Sequence, residues 1–205
     1  MENRNRIKRT AGLLLAVVVI VFAAVMSISA FRGWAKVLVY EKQDYAAETT
    51  GIKQVRIKAR NMPVMVAASD SEEIVIHYFT CTEDPYEVSL EDGALTLAYK
   101  NEMLSNYSSS SDPRVDLILP AAYTGDILLE SSNARVNVSG LTQAGEVRIR
   151  TSNAPIEVNA VVAALISAHT SNGPVTLDQL AVSGKADARS SNGGITARET
   201  VAKDG

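Results

Sequence analysis

Two kinds of hydrophobic pattern divide the chain. Ala11 to Ala30 is an unbroken run of 20 residues without a charge, AGLLLAVVVIVFAAVMSISA. As a helix rising 1.5 Å per residue it is about 30 Å long, the thickness of a bilayer's hydrocarbon core. After residue 40 no helical period appears, and short alternating runs take over. Val55-Arg56-Ile57-Lys58-Ala59-Arg60 alternates apolar and basic side chains. Val64-Met65-Val66, Ile74-Val75-Ile76-His77-Tyr78, Tyr86-Glu87-Val88-Ser89-Leu90 and Leu95-Thr96-Leu97-Ala98-Tyr99 follow. Turn formers separate them: Asn61 with Pro63, Ser69 to Ser71, Asp84-Pro85, and Asp92-Gly93, which reads as a hairpin turn. The polar, serine-rich stretch 101–113 reads as an exposed loop, and Val115 to Pro120 as a further strand halted by its proline.

The strongest pattern is a repeat. Ser-Asn recurs at Ser132-Asn133, Ser152-Asn153, Ser171-Asn172 and Ser191-Asn192, with asparagine spacings of 20, 19 and 20. Aligned on asparagine, five columns are apolar. Six before stand Ile127, Val147, Ile166 and Ala186; four before, Leu129, Ile149, Ala168 and Ala188. Three after stand Val136, Ile156, Val175 and Ile195; five after, Val138, Val158, Leu177 and Ala197; eight after, Leu141, Val161, Leu180 and Thr200. Nineteen of these 20 positions are apolar, against about nine expected from a hydrophobic content of 46%. One 20-residue unit cannot bury its own apolar edge, but stacked units can, at the strand spacing of about 4.8 Å. The pattern predicts an all-β, single-stranded β-helix or solenoid. The columns before and after asparagine face inward, and Ser-Asn forms the corner, where asparagine and glycine tolerate positive φ. Identical residues then lie above one another, so the four asparagine amides are expected to form a hydrogen-bonded ladder. The columns between point outward: Glu130, Arg150, His169 and Arg189 on one strand, Asn137, Glu157, Thr176 and Thr196 on the next.

Charge orients the two parts. Arg4, Arg6, Lys8 and Arg9 precede the apolar run, so the positive-inside tendency keeps residues 1–10 cytoplasmic and sends the remainder across. Phe31, Arg32 and Trp34 stand where an interfacial belt forms. The competing reading is a cleaved leader ending at Ile28-Ser29-Ala30; the apolar run is longer than a usual leader's, which favours an anchor. The expected organisation is a basic tail at 1–10, a membrane helix at 11–30, a juxtamembrane segment at 31–49, and an extracytoplasmic solenoid at 50–205 with the repeat coils at 121–205. Net charge is −3 overall; beyond residue 30 there are 16 basic and 22 acidic residues, net −6. An acidic body argues against nonspecific nucleic-acid binding.

The repeat resembles the bacterial putative-adhesin domain family, a domain of unknown function. Leu117-Ile118-Leu119-Pro120 is similar to the strand that precedes that family's coils. Thr170-Ser171-Asn172-Gly173-Pro174-Val175 and Ser190-Ser191-Asn192-Gly193-Gly194-Ile195 are similar to its Thr/Ser-x-Asn-Gly-x-Ile/Val corner. Asn133-Ala134 and Asn153-Ala154 depart from it, with alanine where glycine is usual, which argues against positive φ there. The resemblance covers about 50–205 and implies a membrane-bound β-solenoid with an adhesin-type role.

Little chemistry is legible. Cys81 stands alone, so no intrachain disulfide forms, and two histidines, His77 and His169, are too few for a His-rich zinc site. Neither histidine lies in a nucleophile motif, and both read as solvent-facing strand residues. Glycan cleavage wants two converging carboxylates at about 5–9.5 Å. Glu130 and Glu157 are outward but fall in different columns, while Asp178 and Asp187 lie near corners. The glycosylation triplets Asn106-Tyr107-Ser108 and Asn137-Val138-Ser139 read as chance. No catalytic residue, cofactor or metal is expected. Membrane contact goes through Ala11 to Ala30, and a protein or glycan partner is expected on the solenoid face. The expected function is a non-enzymatic surface interaction domain. An accessory or sensory component of an envelope-stress or transport system is the alternative, and a glycan-processing enzyme the weaker one.

Overall fold

The computed structural model describes residues 36–100, 107–109 and 112–204, and among them the chain forms strands and no helix. In chain order these are β1 (Lys36–Leu38), β2 (Glu41–Glu48), β3 (Gln54–Lys58), β4 (Val64–Ser69), β5 (Glu73–Thr80), β6 (Tyr86–Glu91), β7 (Ala94–Tyr99) and β8 (Tyr107–Ser109). Then follow β9 (Val115–Pro120), β10 (Asp126–Glu130), β11 (Val136–Ser139), β12 (Ala144–Arg150), β13 (Ile156–Thr170), β14 (Val175–Ser190), β15 (Ile195–Arg198) and β16 (Val201–Asp204). The tail at 1–10 and the anchor at 11–30 lie outside the described residues. No helix among the described residues is long and apolar enough to cross a membrane. Two compact units result. The described part of the smaller is a two-stranded sheet of β1 and β8. β8 corrects the expectation of loop throughout 101–113.

The larger unit is one continuous sheet wound into coils. Its first face is the parallel series β7, β3, β10, β12, then the later halves of β13 and β14. Its second face is the parallel series β9, β4, β11, the earlier halves of β13 and β14, and β15. Register follows the repeat: Ile127 sits beside Val147, Val147 beside Ile166, and Ile166 beside Ala186. On the second face Val136, Ile156, Val175 and Ile195 form one row. Ile127, Leu129, Val136, Val138, Val147, Ile149, Ile156, Val158, Ile166, Val175 and Leu177 are all buried. Each such side chain contributes about 1.5–3 kcal/mol through its burial.

Two features differ from the sequence reading. The stack contains a further coil, β3–β4, far upstream of residue 121. Its Val55, Ile57, Val64 and Val66 hold the same inward columns around Asn61 and are buried. Ile195, assigned to the core, is 49% exposed. Its row is correct, but among the described residues no coil covers its far side, so one flank of the side chain meets solvent. Val201 in β16 is 71% exposed for a different reason: its row faces outward, and its neighbours Ala181 and Val162 in the preceding coils are exposed too. The opposite end is closed by antiparallel strands. β6 folds back on β7 through Asp92 (φ 51°) and Gly93 (φ 80°), and β5 pairs antiparallel with both β9 and β2. The mirror-image turn needs positive φ at both central residues, which Asp-Gly supplies.

Candidate functional site

Two corners join the faces. At the first, the side-chain amides form one file. Asn133 Nδ2 donates to Asn61 Oδ1 at 2.8 Å; Asn153, Asn172 and Asn192 each donate to the preceding Oδ1 at 2.6 Å. Beneath it runs a backbone file. The carbonyl of Ser132 accepts from the N–H groups of Ser152 and Asn153 at 3.1 and 2.9 Å, and the carbonyl of Ser152 accepts from Ser171 and Asn172 at 3.2 and 2.9 Å. The carbonyl of Ser171 repeats this with Ser191 and Asn192.

A third file lies inside. Ser131, Thr151 and Thr170 are buried, and their hydroxyls tie the corner together. The N–H of Gly173 donates to Thr170 Oγ1 at 3.1 Å and that of Gly193 to Ser190 Oγ at 2.8 Å. Thr151 Oγ1 donates to the Ala154 carbonyl at 2.8 Å and lies 2.9 Å from Thr170 Oγ1. These bonds satisfy buried backbone groups that the turn would otherwise leave bare. None of residues 133, 153, 172, 173, 192 and 193 has positive φ, so the corner does not use the left-handed backbone that asparagine and glycine tolerate; Ala134 and Ala154 lack it too, as alanine at those positions implied. Glycine at 173 serves close approach instead: a Cβ there would stand 2.0 Å from the Ala154 carbonyl oxygen.

The left-handed backbone lies at the second corner, seven residues after each asparagine. Gly140 (φ 77°), Ala160 (φ 51°), Gln179 (φ 53°) and Glu199 (φ 43°) stack there. The Gln179 side-chain amide donates to Glu199 Oε2 at 3.3 Å.

Beside the first corner, a groove of about 410 Å³ opens on the first face. Lys58, Tyr99, Glu130 and Arg150 line it, with Ser132 and Ser152 at its corner edge. The strand register places Lys58 beside Glu130, and Glu130 beside Arg150. The Arg60 guanidinium lies 4.2 Å from the Tyr99 ring centroid, and Tyr99 meets Tyr86 edge-on at 6.3 Å. Burial pushes the Tyr86 hydroxyl up to about 12, so it stays protonated while it accepts the Arg60 backbone N–H at 3.3 Å.

The other candidate side chains do not converge. Glu130 is on the first face and Glu157 on the second, where Asn137 Nδ2 donates to Glu157 at 3.4 Å. Asp178 is also on the second face. His169 pairs with Asp187 at 3.1 Å, and Arg189 reaches the same carboxylate. Desolvation pushes the Asp187 carboxyl up, but its bonds to Arg189 and His169 prevail and hold it below the usual range. His77 pairs with Asp44, whose carboxyl that bond lowers. Cys81 is a half-buried free thiol. Among the described residues no group of three or more ligating side chains could hold a metal ion.

A family model described as Toastrack DUF4097 matches residues 52–205. The chain belongs to that family. The Toastrack match thus begins just ahead of β3 and takes in every coil. It supports, at the coarse level, the putative-adhesin-like domain that the repeat resembles. No curated protein matches the chain. Among solved structures, a putative cell adhesion protein from Clostridium sporogenes is similar at 9% identity and a TM-score of 0.43, over 79% of this chain and 100% of that one. A putative adhesin from Parabacteroides distasonis is similar at 13% identity and a TM-score of 0.39, over 82% and 83%. A putative adhesin from Bacteroides fragilis is similar at 11% and 0.33, over 79% and 97%.

Three elements of this Toastrack site were missed in the sequence: Asn61 in the amide file, the inner hydroxyls, and the left-handed second corner. The first had a usable signal, since Val55, Ile57, Val64 and Val66 stand at the repeat's own offsets from Asn61.

Proposed function

We propose that the chain is a non-enzymatic interaction module held outside the cytoplasm by one membrane helix, Ala11 to Ala30. The observation that carries this reading is the stacked register of the two faces. It holds outward polar side chains at fixed strand spacing on parallel backbone, a rigid surface suited to recognising an extended partner. The basic residues before the apolar run support the orientation.

The test has two parts. On intact cells expressing the full chain, a membrane-impermeant lysine reagent is expected to label the C-terminal domain; labelling only after lysis overturns the extracytoplasmic placement. Attachment of those cells to immobilised envelope glycans and proteins is expected to survive exchange of residues 11–34 for an unrelated anchor. Its loss would favour the sensory role, in which the anchor itself docks a membrane partner. A glycan-cleaving activity abolished by Glu130→Ala or Glu157→Ala would overturn the non-enzymatic reading.

A further inference from the structure

We propose that the groove on the first face binds an acidic saccharide, a hydroxylated chain carrying carboxylates. The proposal rests on the interaction-module reading and names its ligand chemistry.

Three charged side chains stand in a row across the groove: Lys58 on β3, Glu130 on β10 and Arg150 on β12. Neighbouring strands are about 4.8 Å apart, so the row from Lys58 to Arg150 spans about 10 Å, the length of a short oligosaccharide, with Tyr99, the residue after Lys58's partner Ala98 on β7, beyond its end. The ion pairs among the described residues leave all three out. Two other cations on the same face are neutralised locally, Arg148 by Glu146 at 2.6 Å and Arg189 by Asp187 at 3.1 Å, while Arg56 is held by the Gln54 amide at 2.9 Å. The groove therefore keeps two cations and one carboxylate open to a ligand.

The order of charges selects the ligand. Arg150 can hold a carboxylate bidentately and Lys58 can meet a second as a point charge. Glu130 between them accepts only from donors, and sugar hydroxyls supply these. A polyphosphate would press negative charge against Glu130 at every position. A neutral saccharide would leave both cations without a partner. Ser132 and Ser152 offer hydroxyls that donate or accept along the edge, and Tyr99 closes one end. The acidic body adds long-range repulsion toward such a ligand, so binding depends on this local cluster, whose charge-assisted contacts weaken as salt screens them.

The test titrates the full 205-residue chain, in mild detergent, with oligogalacturonate by calorimetry. Maltohexaose and inorganic polyphosphate of similar length serve as comparators. Oligogalacturonate is expected to bind, more weakly as salt rises, and maltohexaose not to bind. Arg150→Ala and Lys58→Ala are each expected to weaken binding about tenfold, the loss of one charge-assisted contact. Glu157→Ala, on the other face, is expected to change nothing, and unchanged melting of each variant keeps the comparison valid. Absence of oligogalacturonate binding, or binding indifferent to both Lys58→Ala and Arg150→Ala, overturns the proposal. So does tighter binding of polyphosphate, strengthened further by Glu130→Gln. If cell attachment persists when oligogalacturonate fails, the interaction module stands and only its ligand is wrong; if attachment fails too, both fall.

Discussion

Ala160 carries a methyl group in left-handed backbone, where the side chain crowds the following carbonyl at a penalty of about 1–2 kcal/mol. Its side chain is exposed, so nothing else depends on the methyl. Ala160→Gly is expected to raise the melting temperature of the full chain by a few degrees, despite glycine's looser unfolded state. An unchanged or lower melt would mean that the second corner does not hold the strain its φ implies. The amide file makes a second residue-scale prediction. The Asn153 side chain donates to Asn133 and accepts from Asn172, while the Asn192 side chain bonds only to Asn172 among the described residues. At about 1 kcal/mol per bond, Asn153→Ala should lower stability about twice as much as Asn192→Ala in urea titrations. Asp187 gives the pH dependence. Its folded carboxyl is held below its unfolded value, so its contribution is complete above the ordinary aspartate range and is lost as pH falls through it. Asp187→Asn should flatten that part of the acid limb of the stability curve and leave the pH dependence near neutrality unchanged. At this scale the sequence was only partly legible. Gly140, Ala160, Gln179 and Glu199 share a backbone angle and no side-chain chemistry, so nothing in their letters marks the second corner. The inner hydroxyls were visible as letters, but Ser131, Thr151 and Thr170 look like surface residues until the corner encloses them.

Among the elements, coils repeating at 19 or 20 residues were legible because each strand finds its partner at a constant offset. β3–β4 was not, because the same columns recur only after the excursion through β5 to β9. Ile195 shows the converse limit: register predicts the row of a side chain, whereas burial depends on what covers it. Ile156→Asp places a charge in a fully buried row and is expected to abolish the cooperative thermal transition of the full chain. Ile195→Asp, in the same row but half exposed, is expected to leave a clear transition at a modestly lower temperature. Equal effects would show that the terminal coil is packed as tightly as the middle ones.

For the whole coiled unit, stability is approximately a sum of coil and neighbour terms, so position along the stack governs local opening. β12 and the earlier half of β13 have partners on both sides, whereas β15 and β16 each pair with β14 alone. Amide hydrogen exchange is expected to be fastest in β15 and β16 and slowest in β12 and β13. Uniform protection would replace this graded picture with a single all-or-none unit.

The contact from Asn133 back to Asn61 joins residues 72 apart, against 19 or 20 for the others. Closing that longer span costs about 1 kcal/mol more in chain entropy than closing a single coil. Translation delivers Asn61 early, yet the neighbour it needs emerges only after the intervening hairpins. Before β10–β11 emerge, β3 and β4 can pair only with β7 and β9, so one flank of Val55, Ile57 and Val64 stays bare until residue 139 has been made.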